Sequence, residues 1–173
     1  YPALQIIVVD DGSTELISGK NEALCKNYSN VNYIKNEKSV GAAAARNIAI
    51  AEAQGEFITG LDDDDAFESE RISQFVRAWP SSTEMSYLCS CYIFHMKGHK
   101  VKRGLRRGKT ITYSSLKLKN EVGNQIFTKT SYLREVGGYD ESLVACQDYD
   151  LWLRMSKKFG PALRLPYTSY HIH

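Results

Sequence analysis

Continuous apolar runs alternate along the chain with stretches that are apolar only at helical spacing. The first run, Leu4 to Val9 (LQIIVV), has strand length and no polar alternation, which predicts a central strand covered on both faces. It ends in Asp10-Asp11-Gly12-Ser13-Thr14, where Ser13 or Thr14 can cap a helix running to about Tyr28. Val31 to Lys35 predicts a second strand. Ala42 to Gln54 predicts a helix, with Ala45, Ile48, Ala49 and Glu52 at helical spacing and Gly55 as its stop. A short buried strand, Glu56 to Leu61, then runs into four consecutive carboxylates, Asp62 to Asp65.

The second half continues the alternation less regularly. Glu68 to Trp79 predicts a helix closed by Pro80, and Met85 to Met96 an aromatic-rich strand. Ile111 to Tyr113 and Val122 to Thr128 are further short strands, and Ser131 to Val136 a brief helix stopped by Gly137-Gly138. Gln147 to Phe159 predicts the last helix, with Leu151, Trp152 and Met155 as its apolar stripe. The pattern predicts one α/β domain with a mixed, mostly parallel central sheet flanked by helices.

Composition narrows the class without changing it. The chain has 173 residues, 43% hydrophobic and 24% charged, as an ordinary globular domain does. A net charge of +2 gives no reason to expect nucleic acid as a partner. The basic run at 97–109 (KGHKVKRGLRRGK) predicts an exposed hairpin or loop that could meet an anionic substrate or a membrane surface. Cys25, Cys89, Cys91 and Cys146 match no zinc or redox spacing and predict reduced thiols, hence a cytoplasmic setting. No apolar run approaches the ~20 residues of a membrane span, so at most peripheral association is expected.

Candidate chemistry lies where carboxylates collect. Four adjacent like charges at a strand end repel unless a cation sits among them, and Mg2+ or Mn2+ commonly takes one or two carboxylates plus substrate phosphates. A solvated acidic turn capping the next helix is the other reading of the same run. An EF-hand loop is disfavoured by Phe67 at the sixth position, where that loop has glycine. The small residues 41–45 put a helix N-terminus where a phosphate can bind, and Arg46 reaches the same crevice. In the last helix, Asp148 and Asp150 occupy the first turn, where carboxylates complement the helix dipole. That position is expected to keep Asp148 ionised.

Five segments in order, VVDDGS (8–13), G-x-x-x-A-R-N (41–47), GEFITGLDDDD (55–65), VGGYDESL (136–143) and QDYDLWLR (147–154), resemble the family 2 glycosyltransferases of the GT-A fold. The resemblance covers nearly the whole chain. It implies a nucleotide-binding half, 1–80, and an acceptor-binding half, 81–173, entered one strand and one helix after the usual family start, so that the first strand is lacking. It implies that Asp10 and Asp11 hold the base of a nucleotide sugar, usually uracil, that Arg46 approaches the nucleotide, that Asp62 touches the ribose, and that Asp63 lies beside the donor. Asp64 would bind Mg2+ or Mn2+, and His173, ending a Y-x-x-H segment, would approach the same metal.

Asp148 is the implied base. Gln147 departs from the usual Glu-Asp start, which removes any role for a preceding carboxylate. The implied reaction is inverting transfer of a hexosyl or hexosaminyl group from a UDP-sugar to a glycan or lipid-linked acceptor, at the inner face of the membrane. A non-catalytic nucleotide-sugar-binding fragment is the alternative. A receiver or phosphatase-type domain would also gather acids at strand ends, but it predicts neither GAAAARN nor QDYDLWLR.

Overall fold

The computed structural model describes residues 1–80, 85–96, 99–103 and 109–173. Its first half holds β1 (Ile6–Asp10), α1 (Glu15–Cys25), β2 (Val31–Lys35), α2 (Ala42–Glu52), β3 (Phe57–Thr59), β4 (Ala66–Phe67) and α3 (Arg71–Ala78). The second half holds β5 (Leu88–Met96), β6 (His99–Arg103), β7 (Lys109–Ile111), α4 (Tyr113–Leu116), β8 (Phe127–Lys129), α5 (Thr130–Glu135), α6 (Gln147–Phe159) and β9 (Ala162–Ile172).

The α/β class and the mixed sheet agree with the sequence pattern, but the balance of strand directions does not. Among the described residues only β1–β2 and β5–β9 pair in parallel. The pairs β3–β8, β4–β9, β5–β6, β5–β8 and β7–β9 are antiparallel. Seven strands form one sheet along the path β3-β8-β5-β9-β4, with β6 on β5 and β7 on β9, while β1 and β2 form a separate pair. Alternating apolar runs cannot distinguish these directions, because a strand covered on both faces reads the same either way.

A second correction concerns β1. Among the described residues it pairs with β2 alone, and Leu4 and Ile6 are 39% and 40% exposed, so the covered central strand expected from LQIIVV is partly open. The basic run begins as expected, since Met96 faces His99 across an antiparallel β5–β6 hairpin. Residues 97–98 and 104–108 of that run lie outside the described residues.

Two apolar clusters fix the sheet against its helices. On one face Tyr87, Cys89, Ile111 and Leu116 pack against Leu151, Trp152 and Met155, the stripe that the last helix was expected to bury. On the other, Phe127 stacks between Phe57 and Phe75 at centroid separations of 5.0 and 5.3 Å. Offset aromatic pairs of this kind add about 0.5–1.5 kcal/mol each beyond their burial. Gly160, at φ 93°, ends α6 where the sequence places the stop. Short elements escaped the pattern: β4 has two residues, and α4 is one turn held by a Thr112–Ser115 capping box.

Strand register then determines which loops meet. Thr59 of β3 and Leu88 of β5 both lie opposite Phe127 of β8. Residues following Thr59, residues following Leu88 and residues preceding Phe127 therefore share one sheet edge. The acidic run 62–65 is delivered to that edge.

Candidate active site

At the end of β3 the chain turns, with the Asp65 N–H donating to the Asp62 carbonyl at 3.1 Å. Asp62 faces inward and accepts from two distant side chains through Oδ1. Arg46 Nη2 donates at 2.8 Å and Gln125 Nε2 at 3.1 Å. Gly60 leaves room for that glutamine: a Cβ there would sit 2.2 Å from Gln125 Oε1 and displace its amide.

Arg46 also reaches toward Asp148, with Nη1 3.8 Å from Oδ1, and its guanidinium lies 5.5 Å from the Tyr139 ring centroid. The arginine of α2, the first aspartate of the acidic run and the aspartate at the start of α6 thus form one group. Three of the residues singled out in the sequence are brought together.

Neighbouring motifs hold this group in place. Asn47, next to Arg46, accepts from Tyr139 N–H at 2.8 Å and donates to the Tyr139 carbonyl at 2.9 Å. Gly138, at φ 68°, lies so close that a Cβ would come within 2.4 Å of Asn47 Oδ1. Arg154 donates to the carbonyls of Val136 and Gly138 at 2.8 Å each and to Asp150 Oδ2 at 2.8 Å. Asp150 is therefore a brace for Arg154. Gln147 donates to the Leu143 carbonyl at 2.9 Å, a structural role consistent with the loss of a carboxylate at that position.

Cys146 precedes them in the left-handed region at φ 61°, the one non-glycine in that region among the described residues. Such backbone costs roughly 1–3 kcal/mol and persists where surroundings enforce it, as the start of α6 does for Asp148.

Asp148 is less acidic than its place at a helix start suggests, though a carboxylate near 6 is still ionised at neutral pH. Its Oδ1 is buried without a hydrogen-bond partner among the described residues. Burial raises its pKa from 3.8 to about 6, with Arg46 lowering it and Asp62 raising it further. Desolvation outweighs the helix dipole, which alone would leave the pKa at or below its ordinary value. A carboxylate near 6 is suited to accept a proton at neutral pH.

Asp10 and Asp11 are occupied by the chain itself. Asp10 accepts from Tyr33 Oη at 2.5 Å, Ser13 N–H at 2.8 Å and Ser18 Oγ at 2.9 Å, and the Tyr33 hydroxyl above all holds its carboxyl well below the usual range. Asp11 accepts four hydrogen bonds, from Val40 N–H, Asn36, Ser39 and Gly41 N–H, at 2.7–2.9 Å. The Val40 N–H leads in lowering its pKa to about 2. These bonds pin the start of α2, five residues before Arg46, so Asp11 positions the arginine through the backbone.

Asp63 and Asp64 are exposed on the turn. Asp65 accepts from Tyr170 Oη at 2.5 Å and from the His173 N–H at 3.1 Å. The His173 ring stacks on His95 at 4.2 Å. Among the described residues no three His, Cys, Asp or Glu side chains form a ready metal cluster. A hard cation that draws most ligands from a diphosphate and water needs one or two carboxylates, and the exposed oxygens of Asp64 fit that donor set.

Gln125 and Tyr139 were not foreseen. A glutamine in the apolar stretch VGNQIFT was the available signal for the first, since a buried amide needs a partner.

Fold and site together define an α/β domain of the GT-A type. S. aureus TarS 1-349 has the same fold at a TM-score of 0.78 and 19% identity, over 97% of this chain and 50% of that one. The complex of TarS 1-349 with UDP matches at 0.74 and 20% identity, over 96% of this chain and 50% of that one. Residues 1–137 match the model of glycosyl transferase family 2, and the chain belongs to that family.

Among its relatives is an Escherichia coli K12 protein named as the colanic acid biosynthesis glycosyl transferase WcaA. It is 32% identical over 176 residues, which span 100% of this chain and 63% of that protein. An uncharacterized glycosyltransferase of Methanocaldococcus jannaschii is 28% identical over 86% of this chain and 52% of its own length. The chain thus spans half to two thirds of the length of these proteins. No described helix is long and apolar enough to cross a membrane.

Proposed function

We propose that this chain carries the donor-binding and catalytic rim of an inverting glycosyltransferase. It would move a sugar from a nucleoside-diphosphate donor, a UDP-sugar, to a hydroxyl acceptor in surface polysaccharide or lipid-linked glycan assembly. Family membership supports the reaction class. The observation that carries the reading is the group Arg46–Asp62–Asp148, in which a half-buried carboxylate near pKa 6 faces a cation shared with the acidic run.

Breaking the bond from the anomeric carbon to phosphate leaves a nucleoside diphosphate with growing negative charge. Arg46 stands at the rim where that charge would develop, and fixed cations act most strongly in such partly dry sites. Asp64 would hold Mg2+ or Mn2+, which when bound supplies further neutralisation of the diphosphate; His173, tied to the same turn through its N–H, is the second candidate ligand. Asp62, hydrogen-bonded to Arg46 and Gln125, would orient the ribose, with Asp63 beside it on the turn. Asp10 and Asp11 would shape the base pocket by fixing loop 36–41.

On the acceptor side, Asp148 takes the hydroxyl proton as the new glycosidic bond forms. One base and one displacement invert the anomeric centre.

The rate must follow ionisation of Asp148. A base raised to about 6 is protonated below that pH and free above it. The expected profile of kcat/KM rises about tenfold per pH unit up to about 6 and then levels. A limb near the ordinary carboxylate value of 3.8, or none, would remove Asp148 as the base.

A further inference from the structure

A hollow lies beside the loop that leads into Gln125, at the same sheet edge as the rim. It has a volume of about 390 Å³ and lies between the β5 segment Ser90–Tyr92, the loop 119–124 and Arg164 of β9. That volume falls within the ~300–1,000 Å³ usual for small-molecule sites, so one saccharide unit fits.

The loop that covers it is bonded to both halves of the chemistry. Gln125, the next residue, donates to Asp62 at 3.1 Å. Trp152, one turn beyond Asp148 on α6, donates to the Gly123 carbonyl at 3.1 Å. A molecule lying under this loop is therefore held by the same elements that position the donor side and the base.

The lining has the chemistry of a site for an anionic sugar. Tyr92 supplies a ring, Asn120 and Asn124 supply amides, and Lys119 and Arg164 supply two cations. Glu121 is the sole carboxylate of that lining; Lys109 holds it with contacts of 2.7 and 2.9 Å to its two oxygens, and Lys119 lies 3.7 Å from it, so its one negative charge is met by two lysines before Arg164 is counted. Arg164 has no carboxylate partner among the described residues, and its Nε is buried without an acceptor. A buried donor left unmatched is costly, and a guanidinium recovers that cost best from a carboxylate or phosphate held by two parallel hydrogen bonds.

We propose that this hollow binds the acceptor, and that the acceptor carries an anionic group, a carboxylate or a phosphate ester, on the sugar that Arg164 and Lys119 engage. The proposal rests on the transferase reading above but concerns a separate set of side chains.

Calorimetric titration of the protein with methyl β-D-glucuronide, glucose 6-phosphate and methyl β-D-glucoside tests it, with a UDP titration run in parallel. The expected result is that at least one anionic sugar binds about tenfold or more tightly than the neutral glucoside. Arg164→Met should abolish that preference, Arg164→Lys should retain part of it, and Lys119→Gln, on the exposed loop, should weaken it, all with the UDP titration unchanged. Which anionic sugar binds distinguishes carboxylate from phosphate.

The proposal is overturned if all three sugars bind alike or none binds, or if the preference survives in Arg164→Met and Lys119→Gln. Competition of the anionic sugar with UDP would also overturn it, because the sugar would then occupy the diphosphate position. Failure of UDP itself to bind would strike at the donor reading instead, so the two failures are separable.

Discussion

Asp148→Asn is expected to lower kcat/KM for sugar transfer by about 10²–10⁴-fold, the range a positioned general base contributes. The amide keeps the shape of the side chain but cannot take a proton, so UDP affinity should stay within about twofold of the parent. The same substitution should stabilise the protein. The folded-state pKa of Asp148 is about 6 against an ordinary 3.8, so the folded protein holds a proton that the unfolded chain releases in that interval. The stability this gives is fully present below 3.8 and is lost as pH rises through about 6.

Asn lacks that loss. The variant should therefore melt several degrees higher than the parent at pH 8 and at nearly the same temperature at pH 4. A residue that strains stability while enabling chemistry behaves this way, whereas an ordinary helix-capping aspartate would lose stability on substitution. Retained transfer, or a fall in Tm at pH 8, contradicts the assignment.

Arg46→Ala is expected to act on two observables at once. Arg46 donates to Asp62 at 2.8 Å and stands 3.8 Å from Asp148, where it lowers the carboxylate's pKa against the effect of burial. Without it the two acids face each other with no cation between them. An opposite charge within ~4–6 Å is worth about 1–3 pKa units, so the acidic limb of the pH profile should move upward by roughly one unit or more. At pH 7 activity should fall by about 10–100-fold, part from protonated Asp148 and part from the missing cation at the leaving diphosphate. Arg46→Lys keeps the charge but not the fork, and should restore the limb more fully than the rate. A limb that stays in place in Arg46→Ala would mean that Arg46 and Asp148 do not interact.

The components of this site were legible in the chain because strand ends and helix starts leave local signatures. GLDDDD after a buried run, Arg46 in the first turns of an alanine-rich helix, and Asp148 at the start of an amphipathic helix each follow from short-range pattern. Their meeting was not legible from pattern alone. Asp62 and Gln125 are 63 positions apart, and their hydrogen bond depends on β3 and β8 aligning Thr59 with Phe127.

The acidity of Asp148 was not legible for a related reason. The helix dipole at Asp148 is a local property, while its desolvation comes from tertiary packing. Asp10 and Asp11 show the converse, since a VVDDGS segment gives no sign that Tyr33, Asn36, Ser39 and the amides of 40 and 41 will satisfy both carboxylates from another part of the chain. The covered-strand reading of LQIIVV failed because periodicity reports which faces a strand can bury, and says nothing of how many neighbours it has.

The account depends on the acidic turn and the α2 arginine serving one diphosphate-bearing ligand. Calorimetric titration of the protein with UDP, with and without Mn2+, and of Asp64→Ala under the same conditions, measures this directly. One saturable site that strengthens at least tenfold with Mn2+ in the parent, and shows no such gain in Asp64→Ala, is the expected result. Binding that ignores Mn2+, or that gains equally in Asp64→Ala, would contradict it.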